Sequence, residues 1–465
     1  MAAPILIIQM QRMGDLILTY PLSLWLERQF PGHPIWVLAE SSFAAALQRV
    51  SPRTRYIGAD QTQAVLSEHF HLVINLSHRP ESQELAGRIQ CEQLFGGYVR
   101  QGVTRIHGQW QEYRASLVHN NRHNCFHWAD MNALDVIRPA LLAQTTWPLP
   151  RMVQPDTRKV GLFVGASEPD KRPQPVFWAE LIRVLERQGL APLLLGGPAE
   201  VLLCREIRAL AKRPVASACG TLTLDQLAFL GQDLALLVTP DTGPMHLAAW
   251  TGLRVLNLSM GPVHAFETGP YQPGHVVLRS TRSCVGCWRC MYERPFCQDA
   301  FAPERVGRVV REMLRPGQER LHGLHLPGLE ILFSDRDTHG LYDLRGFSSR
   351  QRASQVVSSF WRAFWLYAFG VGSRTDCAAT AQTLVQHYDA LAQRMGRDAI
   401  VLLRGLAAAR TGNTTLMLDW NRFSVVLRPL SGYVATHLSN YDFAPQSLKR
   451  AEQLIEETLA LLSEA

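Results

Sequence analysis

Leu234-Ala-Leu-Leu-Val-Thr-Pro-Asp-Thr-Gly-Pro-Met-His246 is the stretch whose reading decides the fold. Its first half is an apolar run of strand length, the pattern of a strand buried on both faces. A polar turn, Asp241-Thr-Gly, follows, and Pro244 suits the first turn of a helix. A buried strand that runs directly into a helix is the repeating unit of a parallel sheet covered by helices. The turn then lies at the C-terminal edge of the sheet, where open α/β folds bind ligands. The Thr242 hydroxyl, the Gly243 amide and His246 would surround a diphosphate at a helix N-terminus. The helix dipole and these donors would neutralise its charge without a metal. As a bare pattern, Asp-Thr-Gly occurs in many turns.

The same alternation extends on both sides of this stretch. Strand-like runs lie at Val160–Val164, Pro192–Leu195 and Val255–Ser259, with helical spacing at Val176–Gln188, Ala199–Ala211 and Met245–Thr251. Toward the N-terminus, Pro4–Ile8, Ile35–Leu38 and His71–Leu76 read as strands between amphipathic stretches. Thr145–Pro155 is proline-rich and aperiodic, as a linker would be. Past residue 326 helical spacing dominates at Gln351–Phe369, Asp376–Met395, Arg397–Ala409 and Gln446–Ser463, while Thr414–Thr436 reads as strand. The chain thus divides into an N-terminal Rossmann-like domain (1–152), a second doubly wound domain (156–325) and a mostly helical extension (326–465). Two doubly wound domains joined by a linker usually hold a ligand in the cleft between them.

Three further strand-to-helix turns carry chemistry. Gly14-Asp15 follows the first strand. Gly14 permits a tight turn, and Asp15 is either a catalytic carboxylate or only a helix cap. Gly165-Ala-Ser-Glu-Pro-Asp-Lys171 offers amides, the Ser167 hydroxyl and a compact cation for phosphate oxygens. A lone lysine in a loop is more often merely solvated. Only Lys159, Lys171, Lys212 and Lys449 are lysines among 47 basic residues, which weakens that reading here. In Leu195-Gly-Gly-Pro-Ala-Glu200, Glu200 could accept ribose hydroxyls or simply complement the helix dipole, and the local sequence favours the dipole.

Composition narrows the classes. With 465 residues, 47% hydrophobic and 19% charged, the chain has a large core and is not disordered. Its longest nearly apolar run, Phe360–Gly372, is interrupted by Arg362 and is too short to span a bilayer. Met1–Ile8 lacks a basic n-region, so a cytoplasmic location is expected. A net charge of +7 suits an anionic partner: a nucleotide sugar, a phosphorylated glycolipid, or the inner membrane surface as a peripheral contact. No dense basic run interleaves with aromatics, so nucleic acid is not expected. Nine cysteines, an odd count, argue against a secreted disulfide framework, and the scattered ones read as buried small hydrophobes. Four fall together as Cys284-x2-Cys287-x2-Cys290-x6-Cys297, a spacing that suits a structural Zn or Fe site or an iron–sulfur cluster. Free thiols in a loop are the alternative.

Taken in order, these motifs resemble glycosyltransferase family 9, the ADP-heptose heptosyltransferases of bacterial lipopolysaccharide synthesis. The resemblance covers about residues 1–325. It is carried by Arg12-Met-Gly-Asp15, Gly165-Ala-Ser…Lys171-Arg-Pro, Leu195-Gly-Gly-Pro-Ala-Glu200, Asp241-Thr-Gly-Pro-Met-His246, Gly261-Pro and Thr268-Gly-Pro-Tyr271. It implies a GT-B fold and inverting transfer of a heptose from ADP-heptose, with no cofactor or metal in catalysis. Asp15 would be the general base. Lys171, Thr242, Gly243 and His246 would hold the diphosphate, Asp241 the donor, and Glu200 the ribose. The acceptor would be a lipopolysaccharide core or another cell-surface glycan. Some relatives glycosylate proteins and bind iron through cysteines, so a protein acceptor is the alternative, and a non-catalytic nucleotide-binding scaffold with a structural metal is a further one. Two departures stand out: residues 326–465 have no counterpart in the minimal family fold, and the family's common Trp before the lysine is absent.

Overall fold

The computed structural model describes residues 2–151, 158–284, 287–315, 319–347 and 351–465. Two sheets organise the chain. The first has the order β3-β2-β1-β4-β5-β6. Its strands are β1 (Ile5–Ile8), β2 (Ile35–Ala39), β3 (Arg55–Gly58), β4 (His69–Asn75), β5 (Gln90–Arg100) and β6 (Val103–His107). All pair in parallel except β5 with β6. The all-apolar strand β1 is buried along its whole length and takes the central place, as a strand covered on both faces must.

The second sheet has the order β14-β13-β12-β11-β10-β7-β8-β9. It comprises β7 (Lys159–Phe163), β8 (Ala191–Leu195), β9 (Ala216–Ser217), β10 (Leu236–Pro240), β11 (Val255–Ser259), β12 (Val276–Ser280), β13 (Leu329–Arg336) and β14 (Tyr342–Gly346). The first six are parallel, and β13 and β14 add an antiparallel edge on β12. The expected GT-B architecture is therefore present: two doubly wound sheets and a helical C-terminal region. Most of the proline-rich linker, residues 152–157, lies outside the described residues.

Two expectations for the extension differ from the structure. Its start belongs to the second sheet, because residues 329–346 form two strands there, while the first long helix, Ala353–Ala368, falls where helical spacing begins. Nor is Thr414–Thr436 strand: it forms the short helix Thr415–Leu418 and much of the helix Arg428–Asn440. Its β-branched residues suggested strand. Pro429 in the first helical turn, with Leu430, Tyr433, Val434 and Leu438 buried on one face, makes it a packed helix instead. The helical patterns at Asp376–Met395 and Arg397–Ala409 join into one element, Arg374–Ala409, broken by non-helical backbone at Tyr388.

The extension shares a core with the first domain. Trp110, Tyr113 and Phe126 of the first domain cluster with Trp365 and Phe369 of the extension; Tyr113–Trp365 and Trp110–Phe369 ring centroids are 5.2 and 5.0 Å apart. A buried polar knot fixes the register. Glu112 is 2% exposed and accepts hydrogen bonds from His437 Nδ1 (2.6 Å) and Asn440 Nδ2 (2.9 Å). Arg362 is bonded to Asp337 (2.7 Å) and to the carbonyls of Tyr342 and Cys125, tying the Ala353 helix to both sheets. Replacing Glu112 by Ala strands two buried donors. The expected loss is about 2–4 kcal/mol, read as a lower midpoint in denaturant melts; an unchanged midpoint contradicts the docking described.

Candidate active site

The two domains meet at a pair of glycines. Gly14 lies in the short helix Met13–Ile17 after β1, and Gly243 begins the helix Gly243–Trp250 after β10. A Cβ on Gly14 would stand 3.2 Å from His246 Cδ2, and one on Gly243 would stand 2.2 Å from Met13 Cε and 3.4 Å from the Gly14 nitrogen. The two strand-to-helix turns thus pack closely, with the His246 ring and Met13 Cε against the two glycines. That contact brings Asp15 of the first domain up to the start of the Gly243 helix.

Asp15 Oδ2 accepts the Arg12 amide at 3.2 Å; Arg12 rather than Asp15 holds the N-cap position, and Asp15 bonds back to it from the third helical residue. Burial raises its carboxyl above the usual range, while the Arg114 guanidinium pulls it back down. Arg114, which the sequence reading missed, is 4% exposed and lies over the Trp128 ring at 4.5 Å. In so arginine-rich a chain no single arginine stands out by pattern.

Across the contact, Asp241 Oδ2 accepts the Thr268 hydroxyl at 2.5 Å, and Asp241 Oδ1 lies 3.7 Å from His246 Nε2. Burial pushes Asp241 up to about 6, against the Thr268 hydrogen bond and the Lys171 charge, with Asp15 pushing the same way as burial. Burial drives His246 down to about 4, so its ring is neutral at pH 7, and its Nδ1 has no partner among the described residues. Thr242 occupies the cap position of the Gly243 helix, yet its side chain makes no cap hydrogen bond. The hydroxyl and the Gly243 amide are therefore available to an anion, while Pro244 has no N–H and the Met245 and His246 amides are bonded to the Thr242 carbonyl.

Lys171 ends the 3-10 turn Pro169–Lys171, and its Nζ pairs with the half-exposed Glu168 carboxylate at 3.0 Å. An anion of higher charge can displace that pairing. The turn is held from two sides. A Cβ on Gly261 would meet the Asp170 carbonyl at 2.2 Å, and Gln298 Nε2 donates to the carbonyls of Asp170 (2.9 Å) and Arg172 (3.2 Å). Ser167 is exposed beside it. Glu200 Oε2 accepts the Gly197 amide at 2.8 Å, and the side chain packs on Gly165. One oxygen is thus spent on the turn, as the local reading favoured.

Asn121 and Asn124 were not anticipated either. Both amides donate to the buried Glu267, at 2.7 and 3.0 Å, which links the first domain to the turn that carries Thr268. Burial pushes Glu267 up to about 7. The neighbouring Thr268-Gly-Pro-Tyr271 run was the only signal in the sequence.

Cys284, Cys287, Cys290 and Cys297 carry free thiols. Burial, and then the neighbouring thiols, push Cys287 and Cys297 up, but among the described residues no three metal-capable side chains stand at ligand spacing. Two scattered cysteines are not simple core fillers: Cys204 and Cys219 are joined as a disulfide.

The fold and this cleft define a two-domain Rossmann-type protein with an anion site facing a carboxylate. The sequence pattern of "Glycosyltransferase family 9 (heptosyltransferase)" matches residues 37–293. The chain belongs to that family. It is 29% identical over 128 residues to lipooligosaccharide heptosyltransferase 2 of Campylobacter jejuni, a match covering 26% of this chain and 39% of that relative. Its fold is similar to that of a family 9 glycosyl transferase from Veillonella parvula (TM-score 0.53, 19% identity, 67% of this chain and 97% of that one). It is also similar to that of ADP-heptose lps heptosyltransferase II of E. coli (TM-score 0.50, 19% identity, 67% and 98%).

The weakened acidity of Asp241 makes a stability prediction. The folded state holds its proton up to about pH 6, the unfolded state only to about 3.8. Folding therefore favours the protonated form, and stability falls as pH rises through that window. Asp241→Asn removes the cost. The variant should be more stable than wild type at pH 8 by on the order of 2 kcal/mol, with the gain fading toward pH 4. Thermal melts across pH check this; a gain that grows in acid contradicts it.

Proposed function

We propose that the protein is an inverting glycosyltransferase that moves a heptose from ADP-heptose to a hydroxyl of a cell-surface glycan such as a lipopolysaccharide core. The observation that carries this reading is the glycine contact, which faces Asp15 with an anion-ready helix start. The donor's diphosphate would lie at the Gly243 helix N-terminus, with the Thr242 hydroxyl, the Lys171 ammonium and the His246 ring around it. Asp15, on the opposite wall, takes the proton from the acceptor hydroxyl. That oxygen bonds to the anomeric carbon as the carbon–oxygen bond to the diphosphate breaks, and the bonding pair leaves with ADP. Attack from the face opposite the leaving group inverts the anomeric centre. Burial makes the Asp15 carboxylate a stronger base than an ordinary aspartate, and the Arg114 guanidinium favours its ionised form.

Family membership and the intact Asp15 and Lys171 support catalysis over a scaffold role. No helix among the described residues is long and apolar enough to cross a membrane. The four clustered thiols are the chain's candidate ligands for a structural Zn or Fe. Gln298, next to Cys297, holds the Lys171 turn, so ordering of that loop would bear on the donor site rather than on the chemistry.

Asp15→Asn keeps the shape and the acceptor for the Arg12 amide but loses the base. The variant should melt normally, bind ADP as wild type does, and transfer heptose at least ~10²-fold more slowly. Near wild-type transfer rejects Asp15 as the base; no transfer by the wild type to any glycan acceptor rejects the reading.

A further inference from the structure

A cavity of about 1100 Å³ lies beside the donor site, and none of Asp15, Lys171, Asp241 or His246 lines it. Its walls are the end of β12, the β13–β14 edge, the start of the Ala353 helix and the loop carrying Arg122. Six arginines line it against only Glu330 and Asp343. Arg352 is paired with Glu330, Arg362 with Asp337, and Arg345 with Asp335 and Asp343. Arg122, Arg279 and Arg282 have no carboxylate partner among the described residues. Six guanidinium groups against two carboxylates, three of them outside any ion pair among the described residues, suit an anion.

Two independent features point the same way. His264 lines the cavity, is 4% exposed, and its Nδ1 has no partner among the described residues. The 16-residue Ala353–Ala368 helix also begins here, with the first-turn amides of Ala353 and Ser354 free of intrahelical partners.

The cavity adjoins the reaction centre. His264 precedes the single-turn helix Ala265–Thr268, whose Thr268 bonds Asp241, so one helical turn joins a lining residue of the cavity to the partner of the donor aspartate. Asn124, another lining residue, bonds the Glu267 of the same turn. Much of the wall, β13, β14 and the Ala353 helix, lies beyond residue 293, where the family pattern ends. This chain's extension builds the cavity.

We propose that the cavity binds a phosphate-bearing saccharide segment of the acceptor. Guanidinium forks and helix amides take the phosphate oxygens, and His264 Nδ1 takes a sugar hydroxyl. The volume exceeds that of a typical small-molecule pocket and admits more than one sugar ring. The assignment to the acceptor rests on the transferase reading; binding to the cavity does not.

Calorimetric titration of the full chain saturated with ADP tests it, with glucose 6-phosphate, methyl glucoside 6-phosphate, glucose and inorganic phosphate as probes. Both sugar phosphates should bind saturably, more tightly than phosphate, and glucose should not. Arg279→Gln and Arg282→Gln should each weaken sugar-phosphate binding at least ~5-fold and leave ADP affinity unchanged. Arg282 is exposed, so its variant keeps the fold even if Arg279→Gln does not. No saturable binding, or wild-type binding by a folded Arg282→Gln protein, overturns the site. Equal affinity for phosphate alone overturns the saccharide assignment, and rejection of the glycoside overturns the acceptor assignment. If the protein does not bind ADP, the transferase reading fails, and the same titration without ADP still reads the cavity.

Discussion

Everything in the cleft depends on two strand-to-helix turns packing closely at a pair of glycines. A methyl group on Gly243 would collide with Met13 Cε, and one on Gly14 would press on the His246 ring at 3.2 Å. Interiors pack too tightly to absorb such a group without a shift. That closeness places Asp15, Asp241, Thr242 and His246 around one small volume and excludes water from much of it. The perturbed acidities follow. Asp15 and Asp241 are both pushed up and His246 is pushed down, all chiefly by burial. Two carboxylates and a neutral imidazole are costly to hold together, and binding a ligand there recovers part of that cost.

The extension secures this geometry from outside the cleft. Its two strands continue the second sheet, while its helices share a core with the first domain. The buried Asp130 joins the halves. It accepts the Tyr271 hydroxyl at 2.5 Å and the Tyr342 amide at 2.8 Å, with Arg336 at 3.7 Å. The first domain is thus fastened to the second through elements the minimal family fold lacks. Residues 326–465 are structural partners of both domains and cannot be removed without exposing aromatic core.

Strong periodicity made the sheets legible. Buried parallel strands such as β1, β10 and β11 are short apolar runs ended by turn residues, and their reading needed no tertiary information. β5 and β6 went unread because they are half-exposed and carry no clear alternation. The helix Arg428–Asn440 was misread because its β-branched composition hid a helical face that only its packing partner reveals. The site divides in the same way. Residues at strand ends, Asp15, Lys171 and Asp241–His246, are visible as motifs. Arg114, Asn121, Asn124 and Glu267 act across domains, and nothing local in their sequence says what they face.

The central claim is that the start of the Gly243 helix and Lys171 form one site for a nucleoside diphosphate. Calorimetric titration of ADP into the wild type and Lys171→Ala tests it most directly. A charge-assisted contact of this kind is worth about 1.5–3 kcal/mol, so the variant should bind ADP roughly 10–100-fold more weakly. Equal ADP affinity in the two proteins would contradict the account.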